Sequence, residues 1–149
     1  MNVSEPVVVT IHLVATATMV GLIWFVQVVH YPLFAAVGSD GFAEYEQKHQ
    51  QRTSLVVGPL MAAEGITGVW LALVPPPGVG RLWPLIGLAV LAVVHASTVL
   101  LQVPQHTALA AGYDPARVNR LVRTNWIRTA GWSIRGFIAA LIVVRLLSP

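Results

Sequence analysis

Apolar residues gather in four long runs, 7–29, 54–74, 82–104 and 126–147, divided by polar or proline- and glycine-rich stretches. Each run is close to the roughly 20 residues that carry a helix across a hydrocarbon core. The pattern predicts an all-α chain, an integral membrane four-helix bundle with up-down-up-down connectivity. It forms a single domain over 1–149, with helices over 7–34, 42–74, 83–106 and 116–147. Ser4-Glu5-Pro6 opens the first helix. That run lacks a basic leader and exceeds a cleavable apolar region, so it is expected to be retained.

The punctuation between the runs fits short connections. "AVGSDGF" makes the first two helices antiparallel neighbours, and "VPPPGVG" ends the second at the opposite face. "FAEYEQKHQQRTS" is polar but helix-forming, so it reads as an extension of helix two beyond the membrane. Pro104 is expected to kink or end helix three, and Asp114-Pro115 to cap helix four.

Composition agrees with this reading and narrows it. The chain is 56% hydrophobic and 10% charged and has no cysteine, which excludes disulfides and thiolate-held clusters. Its net charge of +3 does not point to nucleic acid, because the cations sit at the helix connections. Lys48 and Arg52 flank one hairpin, Arg117, Arg120 and Arg123 the other, and only Arg81 and Arg145 lie on the opposite side. The positive-inside rule places both hairpins in the cytoplasm and both termini outside, as in a bacterial inner-membrane protein. The lipid bilayer is the first expected partner.

Charged groups inside the runs need a separate explanation. Arg128 and Arg135 share one face of helix four, seven residues apart. Buried in hydrocarbon, each must find a partner, water or a ligand. Glu64, His95 and Arg135 lie at similar depths near mid-membrane, and Glu64–Arg135 reads as a structural ion pair. A second layer collects at the cytoplasmic boundary: Gln27, His30 and Tyr31; Glu44, Glu46, His49 and Arg52; Gln102 and His106; Asn125 and Arg128. With these faces turned inward, they would line one polar cavity.

Several chemistries suit such a cavity. Glu46 and His49 have the Glu-x-x-His spacing of bundle metal sites, and His30 and His106 could complete a metal-ligand set. Facing histidines could also hold haem. Without a cofactor, His30, His49 and His106 could serve as acid–base groups, while Asn125 and Arg128 orient a substrate oxygen. The expected ligand is a hydrophobic small molecule, aromatic or quinone-like, and the expected reaction an oxidation. The competing class is a non-enzymatic membrane subunit or proton-coupled carrier using Glu64, His95 and Arg135, which with four helices implies a homo-oligomer.

The stretch "VPQHTALAAGYDPARVNRLVRTNWIRTAGWSIRG" resembles the anthrone-oxygenase-like family of small four-helix membrane proteins. The matching positions are Pro104, His106 and Leu109, then Asn125 and Arg128, with "YPLF" at the exit of helix one. The family usually has asparagine where this chain has His106. The resemblance implies a four-helix membrane fold with a polar site in this region, and for some members oxidation of a polycyclic aromatic at an activated carbon. "IHLVATATMVGLIWF", around His12, Gly21 and Trp24, is faintly similar to small membrane protoporphyrinogen oxidases, which implies haem.

Overall fold

A computed structural model describes residues 4–147. Four helical spans make up the fold: Glu5–Ala36 (α1), Phe42–Leu73 (α2), Leu82–Leu109 (α3) and Pro115–Leu147 (α4). No strand occurs among the described residues. All four are long and apolar enough to cross a membrane. Each helix packs on its neighbours in the chain and α4 closes the ring against α1, so α2 and α4 face each other diagonally.

Local sequence accounts for the boundaries. Gly38 and Gly41 take φ of 83° and 122°, a region that disfavours side chains, and turn the chain tightly from α1 into α2. At the head of α4, Asp114 Oδ1 accepts the backbone N–H groups of Ala116 (2.9 Å) and Arg117 (3.3 Å). This is the expected cap, with Pro115 in the first turn where its missing N–H costs nothing.

Two helices depart from the regular period. α1 is α-helical over Ser4–Phe25, π-helical over Val26–His30 and 3-10 over Pro32–Ala36. α3 is α-helical over Leu82–Ser97, π-helical over Thr98–Gln102 and α-helical again over Val103–Leu109. In α1 the wide turn is closed by Tyr31 N–H on the Val26 carbonyl, and in α3 by Val103 N–H on Thr98. In both, a proline follows two residues after the wide turn, Pro32 and Pro104. A proline ring clashes with the carbonyl four residues earlier and cannot bond to it, and the widened turn relieves both problems. Hence Pro104 does not end the helix near residue 106; α3 runs on to Leu109.

α4 shows most plainly how the bundle is filled. Buried positions Val118, Leu121, Asn125, Arg128, Trp132, Arg135, Ile138 and Ile142 recur every three or four residues along it. One apolar cluster, including Phe34, Phe42, Leu109, Val118 and Leu121, fills the end near the 37–41 and 110–114 turns. A second, of Val9, Leu71, Val79, Ile138 and Ile142, fills the other end. The exterior is apolar too, with Phe137, Leu55, Ile66 and Leu100 all at least 70% exposed. An apolar exterior this extensive suits lipid rather than water.

Candidate functional site

Polar side chains inside the bundle form two separate levels. The mid-bundle level is compact. Arg135 of α4 reaches diagonally to Glu64 of α2, with Nε at 3.1 Å and Nη2 at 3.0 Å from Oε1. Its Nη1 donates to the Gly87 carbonyl of α3 at 2.6 Å, and Trp132 Nε1 donates to Glu64 Oε2 at 2.9 Å. Both carboxylate oxygens are thus occupied, and Glu64, Trp132 and Arg135 are almost wholly buried. Beside them, His12 Nδ1 pairs with Thr67 Oγ1 at 2.7 Å. His95 lies at this depth but makes no hydrogen bond to the pair, and its Nε2 is buried without a partner.

The second level lies toward the 37–41 turn. Along α2, Glu46 is 18 residues from Glu64, about 27 Å by helical rise. Here α1, α2 and α3 converge on one cluster. Glu46 is completely buried; its Oε1 meets His106 Nδ1 at 2.6 Å and accepts Gln50 Nε2 at 3.1 Å. His106 Nε2 pairs with the Tyr31 hydroxyl at 2.8 Å. Gln50 Nε2 also donates to the His106 carbonyl at 3.0 Å, which ties α2 to α3. Next to this group, His49 Nδ1 meets His30 Nε2 at 2.9 Å and Thr53 Oγ1 at 3.2 Å. The ring centroids of His30 and His49 are 4.7 Å apart, and those of His49 and His106 5.3 Å. Phe34 packs edge-on against His30, His49 and His106 and closes the cluster from below.

Two cavities flank this cluster. One of about 490 Å³ lies between α1 and α2, mainly apolar, with His30 and His49 in its wall and Lys48 and Arg52 also lining it. The other, about 240 Å³, lies between α2 and α3 and is lined by Tyr31, His49, Gln50, Gln102, His106 and Arg128, among others. His49, Thr53 and Val57 belong to both walls.

The structure brings His30, Glu46, His49 and His106 together, with Arg128 also lining the smaller cavity. The Arg128 guanidinium stacks over Trp132 at 5.3 Å and leaves Nε buried without a partner. Asn125 is placed differently. It is fully buried and lines neither cavity; Nδ2 donates to Gln27 Oε1 at 2.9 Å, an atom that also accepts from Thr129. Asn125 therefore holds the π-helical turn of α1 against α4 and is not set to touch a substrate. Gln102 is likewise engaged, donating to Thr124 at 3.1 Å.

Sequence reasoning passed over Gln50, Trp132, Thr67 and the hydroxyl of Tyr31 as partners. Gln50 and Trp132 were findable: one lies a turn after Glu46, the other a turn before Arg135. The Gly87 carbonyl carries no side-chain signal at all.

For an ion, Glu46, His49 and His106 each offer a ligand atom, all within 4.8 Å of one another. His30 stands outside that triad, bonded to His49. Haem held between two of these histidines fits poorly, since rings this close leave no space for a porphyrin plane between them. What the arrangement can do without any cofactor is move protons within two hydrogen-bonded groups, His30–His49–Thr53 and Tyr31–His106–Glu46, which meet where the rings of His49 and His106 lie 5.3 Å apart. Comparison of the chain with protein-family models, with curated proteins and with solved structures gives no match.

Proposed function

We propose that this chain is an integral membrane oxygenase-like protein that oxidises a hydrophobic aromatic or quinone-like molecule. In this reading it sits in a bacterial-type inner membrane with its hairpin turns in the cytoplasm and both termini outside. One observation carries the proposal: the apolar α1–α2 cavity ends on His30 and His49, and Lys48 and Arg52 also line it. A flat hydrophobic ring system suits the apolar wall, an ionised oxygen on it suits the two cations, and an activated C–H or O–H would lie by the imidazoles.

The reaction balances as an activated ring CH₂ plus dioxygen giving a ring C=O plus water. His49, backed by His30, takes the proton from the activated carbon, and the electron-rich anion left behind reduces dioxygen. The carbanion adds to dioxygen to form a C–O bond, the proton held on His49 and His30 returns to the outer oxygen, and loss of the second C–H proton with cleavage of the O–O bond leaves the carbonyl and water. Asn125 acts as a positioning residue through Gln27. Glu64 and Arg135 lock the bundle; with both carboxylate oxygens bonded, the pair is arranged for rigidity rather than for proton exchange.

Anthrone, supplied in detergent to the purified protein, is the direct probe, read by anthraquinone absorbance and oxygen uptake. Wild type is expected to accelerate conversion over empty micelles, and His49→Ala to lower the rate by about 10²-fold or more, the usual worth of a general base. No acceleration by wild type, or full activity in His49→Ala, overturns the proposal.

A further inference from the structure

The inner side of the cluster is built more elaborately than proton transfer requires. Glu46 is completely buried, yet its Oε2 has no hydrogen-bond partner. A carboxylate oxygen in that position lacks the donor or cation that burial normally demands. Two of the side chains gathered around Glu46 carry ligand atoms. His49 has Nδ1 committed to His30 and Thr53, which leaves Nε2 as its open donor. His106 has Nε2 held by the Tyr31 hydroxyl, which leaves Nδ1 directed at Glu46. We infer that Glu46, His49 and His106 form a binding site for one divalent first-row transition metal ion, iron(II) or zinc.

Four observations converge on this assignment. The three ligand atoms fall within 4.8 Å of one another, near enough for small side-chain movements to bring them onto one ion. Two histidines with one carboxylate are the donor set of catalytic zinc and of non-haem iron(II), and such sites keep a coordination position open. Each ligand also has its own outer hydrogen-bond partner: Gln50 on Glu46, Tyr31 on His106, and His30 with Thr53 on His49. Outer partners of this kind fix which ring nitrogen faces the ion and how the ring is turned. Finally, His49 and His106 both line the α2–α3 cavity, so the open position would face that space, with Arg128 also lining it to hold an anionic ligand.

The rival is a plain histidine–carboxylate pair, in which a proton fills the 2.6 Å gap between His106 and Glu46. That arrangement satisfies Oε1 but leaves Oε2 unexplained. The metal site deepens the proposed oxidation at the same cluster: an ion on His49 would take up the nitrogen that serves as base in its absence and leave proton abstraction to His30 in the wall of the α1–α2 cavity, while the ligand geometry stands apart from that reading.

The test is metal content of the tag-free, detergent-purified protein after loading with iron(II) or zinc under argon and desalting. About one ion per chain is expected in wild type and in His95→Ala, with a tenfold or greater loss in Glu46→Gln, His49→Gln and His106→Gln. Cobalt(II) gives a second reading: visible bands of nitrogen/oxygen coordination should appear in wild type and vanish in those three variants, with His95→Ala unchanged. Wild type that retains no ion, or triad variants that retain as much as wild type, overturns the site. Retained metal without anthrone oxidation would sink the proposed function and leave the site standing; oxidation by wild type that retains no ion after loading would do the reverse.

Discussion

At the level of single residues, the mid-bundle pair is the sharpest determinant of stability. Arg135 and Glu64 are sequestered with two further hydrogen-bonding groups around them, so deleting one charge strands the other away from water. Arg135→Met or Glu64→Leu alone should cost about 3–5 kcal/mol, whereas the double variant should cost clearly less. Trp132→Phe, which removes one donor to Glu64, should cost about 1–3 kcal/mol. Unfolding in mixed detergent micelles checks all four. The depth match of Glu64 and Arg135 was legible in the sequence because counting along helices gives height directly. The separate destinations of Arg128 and Arg135 were harder to read: they share a face, but seven residues separate them by about 10 Å, which puts them on different levels. Asn125 misled for a related reason. Its position on the inward face of α4 says nothing about whether a cavity or the helix α1 lies opposite.

At the level of helices, close approach sets the packing. A Cβ on Gly131 would lie 2.3 Å from Val94 Cγ2, so α3 and α4 can meet as they do only with glycine there. Gly65, although it also looks like part of a small-residue stripe, has nothing within 4 Å of an added Cβ. Gly131→Ala should therefore lower stability by about 1–3 kcal/mol in the same unfolding assay, while Gly65→Ala should leave it unchanged or slightly raised. The four helices and most of their ends were readable from the apolar runs and their punctuation. The two π-helical turns were not, because a single extra residue disturbs a 3.6-residue pattern too little to register against a run that is apolar on every side. Only the recurring proline after each wide turn marks them.

For the whole molecule, the cations gather at the 37–41 and 110–114 end, and the proposed orientation follows from that imbalance. Because the chain has no cysteine, single substitutions report orientation without background. Ser39→Cys should react with a membrane-impermeant maleimide only from the cytoplasmic face, in inverted vesicles. Gly80→Cys, in the loop at the other end, should react in intact spheroplasts. The reverse pattern would turn the site level outward and remove the cytoplasm from the proposal. Whether one cavity or two exists was beyond the sequence, since that depends on His49, Thr53 and Val57 of α2 forming a wall shared by both and not on which residues are polar.

The widened turns have a consequence for how this bundle can change. Each adds a residue to its helix, and one residue is about 100° of rotation. The stretch before each wide turn is therefore indexed separately from the stretch after it, like two dials on one shaft. His30 and His106 sit on or just past the joints. Their aim can be reset by altering a joint while the greater part of α1 and α3 keeps its seat against α4, so the reactive layer is free to drift in chemistry within a scaffold that stays put.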